Sequence, residues 1–247
     1  MNMIKTNAEI AIMAEAGKKL RFVLEKLRVA VKPGITTLSL DALAEQLIKE
    51  QGAQVSFKGY NGYPYTLCTS VNDEVVHTFP SERILLEGDI ISLDLGLIWQ
   101  GWQSDSAITV PVGKISAEAQ RLLQVTEEAL WQGIKQIKPG NTIGDIGAAI
   151  QKYAEQAGLG VVRDLTGHGI GRKLHEPPAV PNFGKAHQGL RLQKGMVLAV
   201  EPMLTLGDCA VDIDDVNWTV KTCDGSLSAQ FEHTIAITEK GHQVLTA

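Results

Sequence analysis

Asp94 and Asp105 are two acids set in a strongly apolar run. Ile90, Ile91, Leu93, Leu95, Leu97 and Ile98 precede the Gln100-Gly101 pair, and Ala107, Ile108 and Val110 follow it. That is the pattern of two buried strands joined by a tight turn. A hairpin of this kind brings the two aspartates close together. Carboxylates in an apolar sheet repel each other and lose hydration, at a cost on the order of several kcal/mol, unless they share a proton or bind a cation. The pair is therefore a candidate site for proton sharing or cation binding.

The rest of the chain repeats the pattern. Val31-Lys32-Pro33-Gly34 recurs as Ile137-Lys138-Pro139-Gly140, and the run from Glu87 to Asp94 recurs as the run from Lys194 to Glu201. Asp94 thus has a counterpart in Glu201, Asp105 has one in Glu232, and His77 with Pro80 matches His175 with Pro178. Taken singly, Asp94 or Glu201 reads as a solvated or capping acid. The duplication makes them a set. His168 lies between Gly167 and Gly169, where small neighbours permit close approach, and is expected rigid at a strand edge, pointing into a cavity. A phosphate loop is disfavoured there, since the glycine spacing is wrong and Pro177-Pro178 follows instead of a helix.

Asp94, Asp105, His168, Glu201 and Glu232 together offer oxygen and nitrogen donors without thiolate, a set suited to Mn, Fe, Co or Zn. One dication would half-neutralise four carboxylates, so two metals bridged by shared acids balance better, and hydrolysis is the chemistry of such pairs. His77 and His175 read equally as core histidines satisfied by a carbonyl or as members of the site. His187, His233 and His242 read as structural, with His233 on the opposite strand face from Glu232. Phe57, Tyr63 and Trp218 are either core or the wall of an apolar pocket.

These residues need elements to carry them. Thr6 and Glu9 form a capping box for a helix carrying Ile10, Ala14, Leu20, Leu24 and Leu27, ended by Pro33-Gly34. A second helix carries Leu40, Leu43, Ala44, Leu47 and Ile48, with Gly52 at its C-terminal cap. Strands and pocket-forming loops follow between Gln54 and Pro80, with strands at 65–71 and 74–77. A third helix runs from Ser116 to Pro139-Gly140 and a shorter fourth from Thr142 to Gly158. Strands around Val161-Val162, 196–204, 218–222 and 230–238 complete an α+β order of helix, helix, strands, twice over. One domain over 1–247 is expected, with an internal repeat dividing near 113.

The 247 residues, 44% hydrophobic and 21% charged, can bury one large core. A net charge of −5 without a Lys or Arg cluster disfavours nucleic acid. No secretory segment or membrane span is evident, so the cytoplasm is expected. Cys68, Cys209 and Cys223, without C-x-x-C spacing, are expected as thiols.

Gly59-Tyr60-Asn61-Gly62-Tyr63-Pro64, Cys68 to Asn72, Val75-Val76-His77, the Asp94 to Asp105 spacing, Gly167 to Gly171, His175-Glu176 with Pro178, Val200-Glu201-Pro202-Met203 and Ser226 to Thr234 form a composite signature along nearly the whole chain. It resembles that of the type I methionine aminopeptidases, metallopeptidases of the pita-bread fold. The resemblance implies two pseudo-symmetric halves, each of two helices and antiparallel strands, around a central dinuclear site. It implies two divalent metal ions (Co, Mn, Fe or Zn) held by Asp94, Asp105, His168, Glu201 and Glu232, with Asp105 and Glu232 bridging. Metal-activated water would attack the first peptide bond of nascent polypeptide N-termini bearing a small second residue, at the ribosome exit, in a monomer. Glu201 would handle the water proton, His175 would hydrogen-bond the carbonyl oxygen and His77 would contact the scissile amide nitrogen or the leaving side. The methionine side chain would lie against Tyr60, Tyr63, Cys68, His77, Leu174 and Trp218, with Phe57 at the rim.

The chain departs from the family pattern at three places. Thr78 stands where glycine is usual, so the backbone there is either ordinary or shifted. Leu174 stands where an aromatic is common, and Val216-Asn217 precede Trp218 where Asp-Gly is more usual. Proline-directed relatives carry an added N-terminal domain, for which the length leaves no room. Catalytically dead binding proteins of the same fold lack metal ligands that are intact here.

Overall fold

The computed structural model describes residues 3–214 and 218–247. Thr6 caps helix α1 (Asn7–Ala30): its hydroxyl accepts the Glu9 N–H, and the Glu9 carboxylate accepts the Thr6 N–H. This satisfies two otherwise orphaned donors of the first turn. Helix α2 (Thr37–Glu50) is capped by Thr36, α3 (Ala117–Ile134) by Ser116, and α4 (Ile143–Gln156) starts at Thr142, whose N–H the Asp145 carboxylate accepts. The first half supplies strands β1 (Gln54–Val55), β2 (Leu67–Val71), β3 (Glu74–Val76), β4 (Ile90–Trp99) and β5 (Trp102–Pro111). The second supplies β6 (Gly160–Val161), β7 (Gly167–Gly169), β8 (Glu176–Val180), β9 (Val197–Val200), β10 (Met203–Thr205), β11 (Val211–Ile213), β12 (Val220–Thr222), β13 (Ser228–Gln230), β14 (His233–Ile237) and β15 (His242–Val244).

Two antiparallel systems carry the chemistry. In one, β1, β4 and β2 lie side by side and β5 pairs with β4, from Trp99 opposite Trp102 to Ile90 opposite Pro111. Gln100 and Gly101, with φ of 51° and 75°, make the two-residue turn whose left-handed residues match the twist of the flanking strands. In the other, the order is β15, β14, β9, β7, β8. Leu93, Leu95 and Leu97 pack with Leu20, Leu24, Leu40 and Ile48 of α1 and α2. Leu122, Leu130, Ile146 and Ile150 of α3 and α4 cover Leu198, Val200 and Ile235. Each pair of helices thus buries the outer face of its own sheet.

The echo in the sequence becomes matching hydrogen bonds. Gly34 N–H donates to Leu85 O at 2.9 Å, and Gly140 N–H donates to Leu192 O at 3.1 Å. Thr36 bridges to Ile84, and Thr142 to Arg191.

Two expected strands prove to be broken. The run 196–204 divides at Glu201-Pro202 into β9 and β10, and the run 230–238 divides at Phe231-Glu232 into β13 and β14. Pro202 has no N–H to give a ladder. The Glu232 N–H leaves its own pairing and donates to Ala107 O of β5 at 2.9 Å. The pairs Val200 with His233 and Met203 with Gln230 keep one register across both breaks, which places Glu201 opposite Glu232. His168 is likewise not at an edge: β7 is flanked by β8 and β9. The expected strand at 65–71 starts at Leu67, and β3 ends before His77.

Candidate metal centre and substrate pocket

Asp94 faces Ala107 across the β4–β5 ladder and Asp105 faces Gly96. Both aspartates therefore project from one face of the hairpin, two residues apart along it. Gly96 is required beside them, because a β-carbon there would come within 2.7 Å of the Phe57 ring. The second sheet reaches this face along a seam of hydroxyls. Thr234 Oγ1 donates to Asp105 O at 2.7 Å, Ser106 Oγ donates to Glu232 O at 2.6 Å, and Thr109 Oγ1 donates to Gln230 O at 2.7 Å. Side chains here add to the backbone bond from Glu232 N–H to Ala107 O where the sheets meet, and they fix Asp105 against Glu232.

His168 completes the cluster. Its Nδ1 lies 2.9 Å from Gly169 O, a partner that can only accept, so Nδ1 carries the proton and Nε2 presents a lone pair. Nε2 stands 3.8 Å from Asp105 Oδ2 and 3.6 Å from Glu201 Oε1. Asp105, His168 and Glu232 each offer a ligand atom within 4.8 Å of the others. Asp94 Oδ1, Asp105 Oδ1 and Glu232 Oε1 are buried without a hydrogen-bond partner. Buried anionic oxygens turned toward an imidazole lone pair have no partner but a cation or a proton. The donor set therefore fits divalent metal.

The electrostatics agree. Burial raises the Asp94 carboxyl to about 7. Burial, then the charges of Asp94 and Glu201, push Asp105 well above the carboxylate range, and Glu232 rises through burial and then Asp105, Glu201 and Asp94. Glu201 rises through burial and then Asp94, although Gln230 Nε2 donates to its Oε2 at 3.2 Å. Burial, with His175 adding to it, lowers His168 and His77 to about 4, so both rings are neutral near pH 7.

A cavity of about 280 Å3 opens over the cluster, and all five proposed ligands line it. Its wall also holds Phe57, Tyr60, Tyr63, Cys68, His77, Leu174, His175 and Trp218, every pocket residue that the sequence suggested. Phe57, at 8% exposure, is wall rather than rim. Tyr63 is held by its OH donating to Leu67 O at 3.0 Å and by edge contacts with Phe57, Phe79 and Trp218. His175 Nδ1 and Tyr60 OH share a hydrogen bond of 2.8 Å, and the His175 and His168 rings meet edge to face at 4.3 Å. His77 and Trp218 take left-handed φ values of 63° and 60°, strained for residues of their size. Thr78 does not, so its β-carbon is accommodated by ordinary backbone. Val216-Asn217 lie outside the described residues.

The pocket also includes Asn61, Val76, Leu165, Thr166 and Met203, which sequence reasoning missed. Period two carried a signal for two of them: Thr166 and Met203 are two residues from His168 and Glu201 and share their faces. The three histidines read as structural stay out of the cavity. His233 Nδ1 bonds Thr246 Oγ1, His242 Nδ1 bonds Ile137 O, and His187 lies 3.3 Å from Asp145. The three cysteines are free thiols.

Comparison with known proteins bears on this geometry. The family model described as metallopeptidase family M24 matches residues 11–239. A methionine aminopeptidase 1 of Bacillus subtilis is 50% identical over 246 residues, covering 100% of this chain and 99% of the relative. The crystal structure of methionine aminopeptidase from Rickettsia prowazekii superposes with a TM-score of 0.98 at 41% identity, covering 99% of both chains. The Xaa-Pro dipeptidase from Bacillus anthracis gives a TM-score of 0.78 at 26% identity, and this chain spans 62% of its length. The chain belongs to metallopeptidase family M24 and, within it, to the type I methionine aminopeptidases.

Proposed function

We propose that the chain removes the initiator methionine from polypeptides with a small second residue, in a reaction that depends on two divalent metal ions. The single observation that carries this is the junction of three buried acids, the partly buried Glu201 and one neutral imidazole with a cavity of about 280 Å3 walled largely by apolar side chains. Asp94, Asp105, His168, Glu201 and Glu232 would hold the metals, with Asp105 and Glu232 shared between them, in one catalytic domain whose related halves divide near residue 113. Bound there, the dications supply Lewis acidity that polarises the first peptide carbonyl and acidifies water.

The chain's own residues do the rest. Glu201 would take the proton of the attacking water at its Oε1, a reading supported by the hydrogen bond from Gln230 that holds its Oε2. His175 would donate to the carbonyl oxygen as negative charge develops, a reading supported by its tie to Tyr60 and its place on the cavity wall. His77, fixed by its left-handed backbone, faces the scissile amide or the leaving side. The methionine side chain fits against Phe57, Tyr63, Cys68, Leu174 and Trp218, which exclude water from it.

We assign the substrate as nascent N-termini near the ribosome exit, the compartment as the cytoplasm and the working form as a monomer. The acidic balance supports the absence of nucleic-acid specificity, and no helix among the described residues is long and apolar enough to cross a membrane. The test is release of methionine from Met-Ala-Ser, Met-Lys-Ser and Leu-Ala-Ser by the metal-loaded chain. Only the first should be cleaved rapidly; equal cleavage of Leu-Ala-Ser overturns the methionine reading. Since Asn2 is not small, the chain should retain its own Met1; both residues lie outside the described part.

A further inference from the structure

Lys5 is an unusual lysine. Its side chain is 4% exposed, and its Nζ lies 2.8 Å from Oε2 of Glu176, itself 4% exposed, 171 residues away in sequence. A buried ion pair contributes little net stability, because desolvating both charges offsets their attraction. What such a pair does provide is geometry: each charge has one place to be, and breaking the pair leaves the other charge stranded. The place in question is next to the catalytic cavity, since Glu176 follows His175 directly.

The carboxylate is used at both oxygens. While Oε2 takes Lys5, Oε1 accepts the Lys173 N–H at 3.0 Å, so Glu176 closes the turn that carries Leu174 and His175 from β7 to β8. Burial alone would raise the Glu176 carboxyl, but Lys5 and the Lys173 N–H outweigh it and hold the group ionised, below its usual range. Lys5 is itself anchored. Its N–H donates to Gly195 O at 2.7 Å just before β9, and Thr6 behind it caps the long helix α1. Two glycines make room for the arrangement. A β-carbon on Gly171 would lie 2.7 Å from both Lys5 Cε and Glu176 Oε1, and one on Gly195 would lie 2.7 Å from Lys5 O.

We propose that Lys5 is a positioning residue for His175, acting through Glu176 from the segment that precedes α1. The inference rests on the role assigned above to His175. Without Lys5 the Glu176 carboxylate must turn toward water or take up a proton, either of which slackens its hold on Lys173 N–H and on the turn. His175 then loses its set against the cavity, while the metal ligands, carried by β4, β5, β7 and the breaks at Glu201 and Glu232, are undisturbed.

The test compares Lys5→Met, Lys5→Arg and Glu176→Gln with the parent chain, each loaded with Mn2+, on Met-Ala-Ser. Lys5→Met and Glu176→Gln should lower kcat by about tenfold to a hundredfold, the size expected when the support of a catalytic group is loosened. KM should stay within about twofold, since uniform binding is untouched, and metal content should not change. Lys5→Arg, keeping the cation, should recover most of the rate. In a His175→Ala background, Lys5→Met should cost nothing further, because residues acting as one unit are non-additive. An unchanged kcat in Lys5→Met, a second full loss in the His175→Ala background, or loss of metal overturns the proposal. Should Lys5→Met fail to fold, the double variant Lys5→Met/Glu176→Gln, which leaves neither charge buried, decides the same comparison. If His175→Ala itself keeps full kcat, the role of His175 is what fails, a result distinct from all of these.

Discussion

His168 Nε2 and Glu201 Oε1 face each other across 3.6 Å, beyond hydrogen-bond length, with Nδ1 of the same ring committed to Gly169 O. Two acceptors are turned toward one point. With Asp105 and Glu232 aimed at the same space, the arrangement is costly unless positive charge fills it, which is why the donor set fits a divalent metal.

Asp105→Asn and Glu232→Gln should each abolish turnover while leaving the fold intact, because in the proposed site each residue is shared between two metals and an amide offers one neutral oxygen in place of two anionic ones. The metal-free variants should melt no lower than the metal-free parent, since each replacement relieves carboxylate repulsion. Calorimetry beside a peptide assay checks both points; a variant retaining parental activity would remove the shared-ligand assignment.

His175→Ala should lower kcat by about 10² to 10³, the effect of removing one oxyanion donor. Metal content measured on the same sample should equal that of the parent. A fall in metal content would instead make His175 a ligand.

The metal-free chain should lose stability as pH rises from 6.5 to 8.5. Asp94 is raised to about 7, and Asp105, Glu201 and Glu232 are raised well above the usual carboxylate range by burial and by one another's charges. Over this window the folded state still holds protons that the unfolded carboxylates, titrating near about 4, have already lost. The unfolded state thus binds fewer protons, and stability falls with pH. His77 and His168, lowered to about 4, are neutral in both states through most of this window and add little slope. The melting temperature at the two pH values reads this directly, and a rise would show the acids to be ionised without metal.

Much of this site was legible in the sequence, and the reason is periodicity. Asp94 and Asp105 interrupt apolar strands whose outer faces must pack on helices, and Thr6, Ser116 and Thr142 marked three of the helix starts. The breaks at Glu201 and Glu232 were not expected. The break at Glu201 had a local cause in Pro202 that the strand reading passed over, whereas the one at Glu232 follows from its N–H pairing with Ala107 O, and no local pattern encodes a partner so distant. The left-handed backbone of His77 and Trp218 was hidden for the same reason: surrounding packing imposes it against the residues' own preference.

Leu174→Ala should lower kcat/KM for Met-Ala-Ser by at least about tenfold, because side-chain atoms of an apolar pocket wall are worth that much discrimination. Thr78→Gly should change it by less than about threefold, as Thr78 is absent from the cavity wall and its backbone is ordinary. The reverse ranking would show that the loop after His77, not Leu174, shapes the pocket.

The most direct test is titration of the chelated chain with Mn2+ under anaerobic conditions, following methionine release from Met-Ala-Ser and bound metal by elemental analysis together. Release should be absent without metal and return as the site fills, with a Gly-Pro dipeptide left uncleaved. Methionine release from metal-free protein, or cleavage of the Gly-Pro dipeptide at a comparable rate, would contradict the assignment of this centre to metal-dependent methionine removal.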